Sequence, residues 1–196
     1  MKFPALVAAG LATLSIAVVM SLTAPSAQTA LSRNEIINSL QGAQAKVEIS
    51  ADELRKQALE HIKKYPGDNS TEVLPLAAKL AQLRQFNVEI TFDFDSDRIR
   101  PESYETVGII ADALHTPYLM GQKFFVVGHT DAKGKRDYNL NLSQKRADAI
   151  RDALVTTFRV PAEQLEAVGL GEEQLRDPAA PDAAINRRVQ LINVGF

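Results

Sequence analysis

The chain has 196 residues, with 22 Lys and Arg against 24 Asp and Glu, and contains neither cysteine nor tryptophan. That length allows one ordinary domain and a smaller appendage, and a formal charge of -2 without clusters of arginine and aromatics argues against nucleic acid as a partner. Without cysteine there can be no disulfide, thiolate metal site, cysteine nucleophile or lipid attachment through an N-terminal cysteine; His61, His115 and His129 have no spacing that suggests a shared metal site, and no cofactor is expected.

Residues 1 to 30 differ in kind from the rest. After Lys2 the next charge is Arg33, and Ala5 to Leu22 is almost wholly apolar or small, followed by Ala24-Pro25-Ser26-Ala27-Gln28-Thr29-Ala30. This is the pattern of a secretory signal peptide, and the apolar run is also near the length of a membrane-spanning anchor. In both cases the remainder is expected outside the cytoplasm. Residues 31 to 86 then read as a short helical linker or collar. Asn34 to Leu40 is one helix. Ser50-Ala51-Asp52-Glu53 has the form of a capping box, after which Leu54, Ala58 and Ile62 recur at helical spacing until Tyr65-Pro66-Gly67. A further stretch carries Leu76, Leu80 and Leu83 on one side. These apolar positions are too few for an independent core.

At Val88 the period changes from helix to strand. Val88, Ile90, Phe92 and Phe94 alternate with Glu89, Thr91, Asp93 and Asp95, which predicts a strand with one apolar face. Arg100-Pro101-Glu102 opens a helix in which Tyr104, Val107, Ala111 and Leu114 share a face. Lys123 to Gly128 predicts a second strand. A helix is expected from about Tyr138 to Phe158, with Leu140, Ala147 and Leu154 toward the core, and two more strands at Leu165 to Gly169 and Val189 to Val194. Strands separated by amphipathic helices imply an α/β sandwich with a sheet of about four strands. The sequence shows no internal repeat and no succession of alternating segments of the membrane-barrel kind.

Three motif readings fail on their own terms. Asp93, Asp95 and Asp97 open like a calcium loop, but Arg98 stands at the glycine position and Tyr104 at that of the terminal glutamate. Gly128 to Lys135 has the wrong glycine spacing for a phosphate-binding loop, and Arg136 replaces its Ser or Thr. A hydrolase drawn from Ser143, His129 and Asp131 lacks a nucleophile elbow; Ser143 reads as an exposed or capping residue and His129 as a local hydrogen-bonding group that orders the turn.

Asp131 and Arg146 remain. Asn139 and Arg146 are seven residues apart on nearly one face of the expected helix, and the turn through Gly134 can bring that face beside Asp131. On spacing alone the pair reads equally as a surface salt bridge or as a receptor for a zwitterion, with Asp131 taking an ammonium and Arg146 a carboxylate. Both are expected at the surface.

Six blocks carry a family resemblance. Phe92-Asp93-Phe94-Asp95-Ser96, Gly128-His129-Thr130-Asp131-Ala132-Lys133-Gly134, Tyr138-Asn139, Leu142-Ser143-Gln144-Lys145-Arg146-Ala147, Val168-Gly169-Leu170-Gly171-Glu172 and Asn186-Arg187-Arg188-Val189 follow in order. Together they resemble the OmpA-like C-terminal domain of Gram-negative envelope proteins over about residues 87 to 196. The resemblance implies a βαβαββ sandwich with a mixed four-stranded sheet and a non-enzymatic activity: non-covalent binding of peptidoglycan stem peptides through meso-diaminopimelate, in the periplasm. It assigns the essential acid to Asp131, the essential base to Arg146 and a contributing amide to Asn139. Backbone groups around Thr130 and Ala132 are implied to help, and Arg188 to support the site or the sheet edge. Gln190 departs from the family, standing where an acid is often found. The upstream segment is short and helical instead of strand-rich, and no lipid-bearing cysteine is present. The alternative expectation is a membrane-anchored wall tether or stator-like component, in which residues 31 to 86 would bind an envelope protein; self-association is left open.

Overall fold

The computed structural model describes residues 31–42, 49–66 and 74–196. The leader or anchor expected at residues 1–30, and Gly67 in the expected helix stop, lie outside the described residues. Three helices come first: α1 (Arg33–Leu40), α2 (Ala51–Lys64) and α3 (Pro75–Leu80). They are followed by β1 (Gln85–Val88), α4 (Tyr104–Leu114), β2 (Lys123–His129), α5 (Arg136–Asp152), β3 (Leu165–Gly171) and β4 (Val189–Gly195). From β1 onward this is the expected βαβαββ order. The four strands form one mixed sheet in the order β1-β4-β2-β3. β4 is antiparallel to both neighbours, with Leu191 facing Phe86 on one side and Val126 on the other, whereas β2 and β3 run parallel with Val127 opposite Val168.

The central strands explain the continuous apolar run Phe124 to Val127, because both faces of the sheet are covered. Phe124 and Val126 lie in one cluster with Ile36, Leu40, Ile110 and Ile150, which come from α1, α4 and α5. Phe125 and Val127 lie in the other with Leu54, Ala58, Leu76 and Leu80, from α2 and α3. The helices of residues 31–86 therefore contribute apolar faces to the two cores of the sheet. Asn193, fully buried in β4, fixes α1 by donating from Nδ2 to the Leu40 carbonyl at 2.8 Å.

Caps account for two of the helix starts. Ser32 and Glu35 make a full reciprocal box, with Ser32 Oγ accepting from the Glu35 N–H and Glu35 Oε2 accepting from the Ser32 N–H. At the expected box of α2, Ser50 Oγ accepts from the Glu53 N–H at 3.1 Å; the capping role of Ser50 is as expected.

The first strand differs from its expectation. Alternation predicts a strand from Val88 to Asp95, but β1 ends at Val88 and the chain leaves the sheet. Residues 91–100 close a small loop in which the Asp93 N–H donates to the Arg98 carbonyl and the Arg100 N–H to the Thr91 carbonyl. Phe94, expected on the apolar face, is 100% exposed, and Asp95 has φ 52°, a left-handed turn that aspartate tolerates better than most residues. Tyr104 also departs from its apolar partners, at 41% exposed. α5 stops at Asp152 and passes into a π-helical turn at Ala153–Thr157 before Phe158.

Candidate functional site

The site begins where β2 ends. The register with β3 shifts between Gly128 and His129, which turns the chain out of the sheet. His129 is held there by its N–H on the Arg188 carbonyl at 3.0 Å and by Nε2 against Gln190 Oε1 at 3.1 Å. Expected to hydrogen-bond locally, it takes its partners instead from the chain entering β4, and Gln190, the residue that departs from the family pattern, is one of them. Burial, then the nearby charge of Arg188, hold the imidazole well below its ordinary pKa of 6.5. His129 is thus neutral in the fold while the unfolded chain takes up a proton below pH 6.5. Its contribution is fully present above pH 6.5 and is lost as pH falls below that value. The stability of His129→Gln is expected to fall less steeply than wild type on going from pH 6.5 to 5, as read by urea unfolding at each pH.

Beyond His129 the backbone donors are used internally. The Thr130 N–H donates to the Gly171 carbonyl at 2.9 Å and the Ala132 N–H to the Pro181 carbonyl at 3.1 Å. Asn139 Nδ2, on the first turn of α5, reaches the Asp131 carbonyl at 3.3 Å, the Lys133 carbonyl at 3.0 Å and Glu172 Oε2 at 2.6 Å. Asn139, Thr130 and Ala132 therefore shape the loop: the Asn139 amide group and the two N–H groups are occupied by the fold. The pKa of Glu172 is itself raised, by burial first, with the Asn139 bond opposing.

Asp131 projects from this loop. Oδ1 accepts from the Lys133 N–H at 3.3 Å, and Oδ2 pairs with Arg187 Nη1 at 2.6 Å. At 8% exposure Asp131 is more buried than its expected surface position. Arg146, two turns into α5 from Asn139, donates from Nε to the Ser96 carbonyl at 3.0 Å and lies over the Phe92 ring, 4.8 Å from its centroid. The 91–100 loop, which the alternation missed, thus supplies the second wall. Burial first, and then the charge of Arg187, lower the Arg146 pKa, while Asp131, Asp95 and Asp97 oppose them. Among the described residues Asp131 and Arg146 do not bridge each other: the ion pair formed is Asp131 with Arg187. The surface salt bridge that spacing allowed is not made, and among the described residues Arg146 pairs with no carboxylate, although the charge of Asp131 acts on it.

Several assignments change. Arg187, passed over in the sequence, is the arginine on Asp131. Arg188 instead donates to Asn87 Oδ1 on β1 and to the Asn186 and Gln174 carbonyls, which is the sheet-edge role. Ser143 is fully buried, not exposed; its Oγ donates to the Leu140 carbonyl at 2.9 Å and accepts the Gly171 N–H at 2.8 Å, which ties α5 to β3. Tyr138 donates its hydroxyl to Asp95 Oδ1 and closes the 91–100 loop onto α5. Among the described residues no three His, Cys, Asp or Glu side chains are grouped so as to hold a metal ion, and no helix is long and apolar enough to cross a membrane.

The OmpA family model matches residues 91–188, half of the chain. Outer membrane porin F of Pseudomonas aeruginosa is 35% identical over 113 residues, 57% of this chain and 32% of the porin. The peptidoglycan-associated lipoprotein of the same organism is 37% identical over 105 residues, 51% of this chain and 58% of the lipoprotein. Among solved structures, the peptidoglycan-associated lipoprotein of Burkholderia pseudomallei has 35% sequence identity over 53% of this chain and 87% of its own, with a TM-score of 0.44. The chain thus spans a third to three-fifths of the length of these two curated relatives.

Proposed function

This chain belongs to the OmpA family, and on that premise we propose that its sheet domain binds peptidoglycan in the cell envelope, through the zwitterionic end of a meso-diaminopimelate side chain, without catalysing a reaction. The observation that carries the reading is the separation of charges at the site. Asp131 is held by the loop and Arg187, Arg146 by Ser96 and Phe92, and neither neutralises the other. A ligand with ammonium and carboxylate on one carbon offers Arg146 the carboxylate it lacks and places an ammonium beside Asp131, whose Oδ2 is held by Arg187 and whose Oδ1 accepts only the Lys133 N–H at 3.3 Å. Arg146 presents a planar fork to the carboxylate, and Asp131 an oxygen to the ammonium.

The buried, doubly hydrogen-bonded Ser143 and the neutral His129 on Gln190 supply support to this site and no nucleophile. A single zwitterion contact binds modestly, because ordering and desolvation offset charge-assisted bonds of about 1.5 to 3 kcal/mol each. Repeated stem peptides in the wall raise the effective concentration and hold the protein in place.

Titration of the 15N-labelled protein with free meso-diaminopimelate tests the reading. Shifts are expected for the amides of residues 128–134, 96 and 146, and none of comparable size with Nα-acetyl-lysine amide, whose side chain ends in an ammonium without a carboxylate. Equal shifts with both compounds would remove the zwitterion from the account.

A further inference from the structure

Arg187, which holds Asp131 through Nη1, also lines a separate pocket of about 310 Å3. Two further arginines, Arg176 and Arg188, stand in its wall, and Glu89 is the one acid there. Arg188 spends Nε, Nη1 and Nη2 on neutral acceptors, namely Asn87 Oδ1 and two backbone carbonyls. No carboxylate compensates it among the described residues, and burial together with the charge of Arg176 pushes its pKa down to about 10. Arg176 is exposed and makes no hydrogen bond or ion pair among the described residues. Arg187 has half of its side chain open to solvent beyond its bond to Asp131. Three arginines thus line a concavity with a single exposed glutamate, and like charges crowded at a half-desolvated surface are relieved by an anion.

We propose that this pocket is a second anion subsite, which receives a backbone carboxylate of the same stem peptide whose diaminopimelate end lies between Asp131 and Arg146. The inference rests on the wall-binding reading and extends it from one residue of the ligand to two. Arg187 makes the connection: it pairs with Asp131 through Nη1 and also lines the pocket. A planar fork beside a second guanidinium suits a carboxylate, and the pocket is at the lower limit of small-ligand cavities, enough for one acidic residue. In a stem peptide the γ-linked glutamate leaves its α-carboxylate free next to diaminopimelate, which supplies a carboxylate of the required kind on the same chain.

The test is calorimetric titration of the full-length chain, wild type and Arg176→Gln, with L-alanyl-γ-D-glutamyl-meso-diaminopimelate and with the same peptide amidated at the glutamate α-carboxylate. Wild type is expected to bind the amide roughly tenfold more weakly than the acid, the size of one charge-assisted contact. Arg176→Gln is expected to bind both peptides alike, at the level of the amide. Equal binding of the two peptides by wild type overturns the subsite while leaving the diaminopimelate site standing. Failure of wild type to bind either peptide overturns the wall-binding reading and the subsite with it. Displacement of both peptides by inorganic phosphate, with no preference for the acid, reassigns the pocket to phosphate and overturns the proposal.

Discussion

Arg146→Ala binds a diaminopimelate stem peptide at least tenfold more weakly than wild type, with its unfolding midpoint little changed. Among the described residues the guanidinium makes one hydrogen bond, to the Ser96 carbonyl, and one contact with the Phe92 ring. Losing these costs on the order of 1 kcal/mol of stability. In the complex we propose, the same group is the carboxylate's partner, and a charge-assisted bond of about 1.5 to 3 kcal/mol corresponds to roughly 10- to 150-fold in affinity. Arg146→Lys is expected to recover little of it, since an ammonium cannot form the paired bonds of the fork. Asp131→Asn should match the loss in affinity, because an amide neither attracts an ammonium nor holds Arg187. Calorimetry for binding and urea denaturation for folding separate the two effects; a large fall in stability for Arg146→Ala would make it a structural residue.

The largest effect on folding is expected from a glycine, not from a charged residue. A Cβ on Gly169 would lie 2.1 Å from the Gln144 nitrogen and 2.5 Å from its Cα. These are backbone atoms of α5, so no change of rotamer relieves the clash and the helix must move off the sheet. Gly128 makes the corresponding approach one strand away, where a Cβ would stand 2.4 Å from the Ser143 carbonyl oxygen. Overpacking of this kind costs about 3 kcal/mol or more where the backbone has to shift. Gly169→Ala would also disturb the bond from the Gly169 N–H to Gln144 Oε1 and that of the adjacent Ser143 to Gly171. Because α5 carries both Asn139 and Arg146, any folded fraction of this variant should bind the wall peptide poorly. A urea midpoint equal to wild type would show that α5 does not depend on this close approach.

The elements with strong periodicity were legible in the sequence. Lys123 to Gly128 and Val189 to Val194 are strands because continuous apolar runs of that length suit a sheet buried on both faces, and Leu140, Ala147 and Leu154 do turn to the core. The 88–95 stretch misled because alternation reports only a period of two. It cannot register that the backbone leaves the ladder after Val88, so Phe94 looked like a core residue and is fully exposed. Asp131, Arg146 and Asn139 were named from spacing and resemblance; Asn139 bonds the loop that carries Asp131, whereas Arg146 is held by the 91–100 loop. Their partners were not legible. Whether Arg187 or Arg188 meets Asp131 depends on the side each takes as the chain enters β4, and whether Ser143 is buried depends on the missing side chains of Gly128 and Gly169, whose Cβ atoms would meet it. Those are facts of tertiary packing, which local sequence carries only indirectly.

The most direct measurement of the central claim is co-sedimentation of residues 31–196, a compact unit in itself, with purified sacculi of the meso-diaminopimelate type. Wild type, Arg146→Ala and Asp131→Asn would be compared at matched concentration and salt. The account predicts that wild type pellets with the sacculi and that both variants stay in the supernatant; equal pelleting of all three, or wild type remaining in solution, would contradict it.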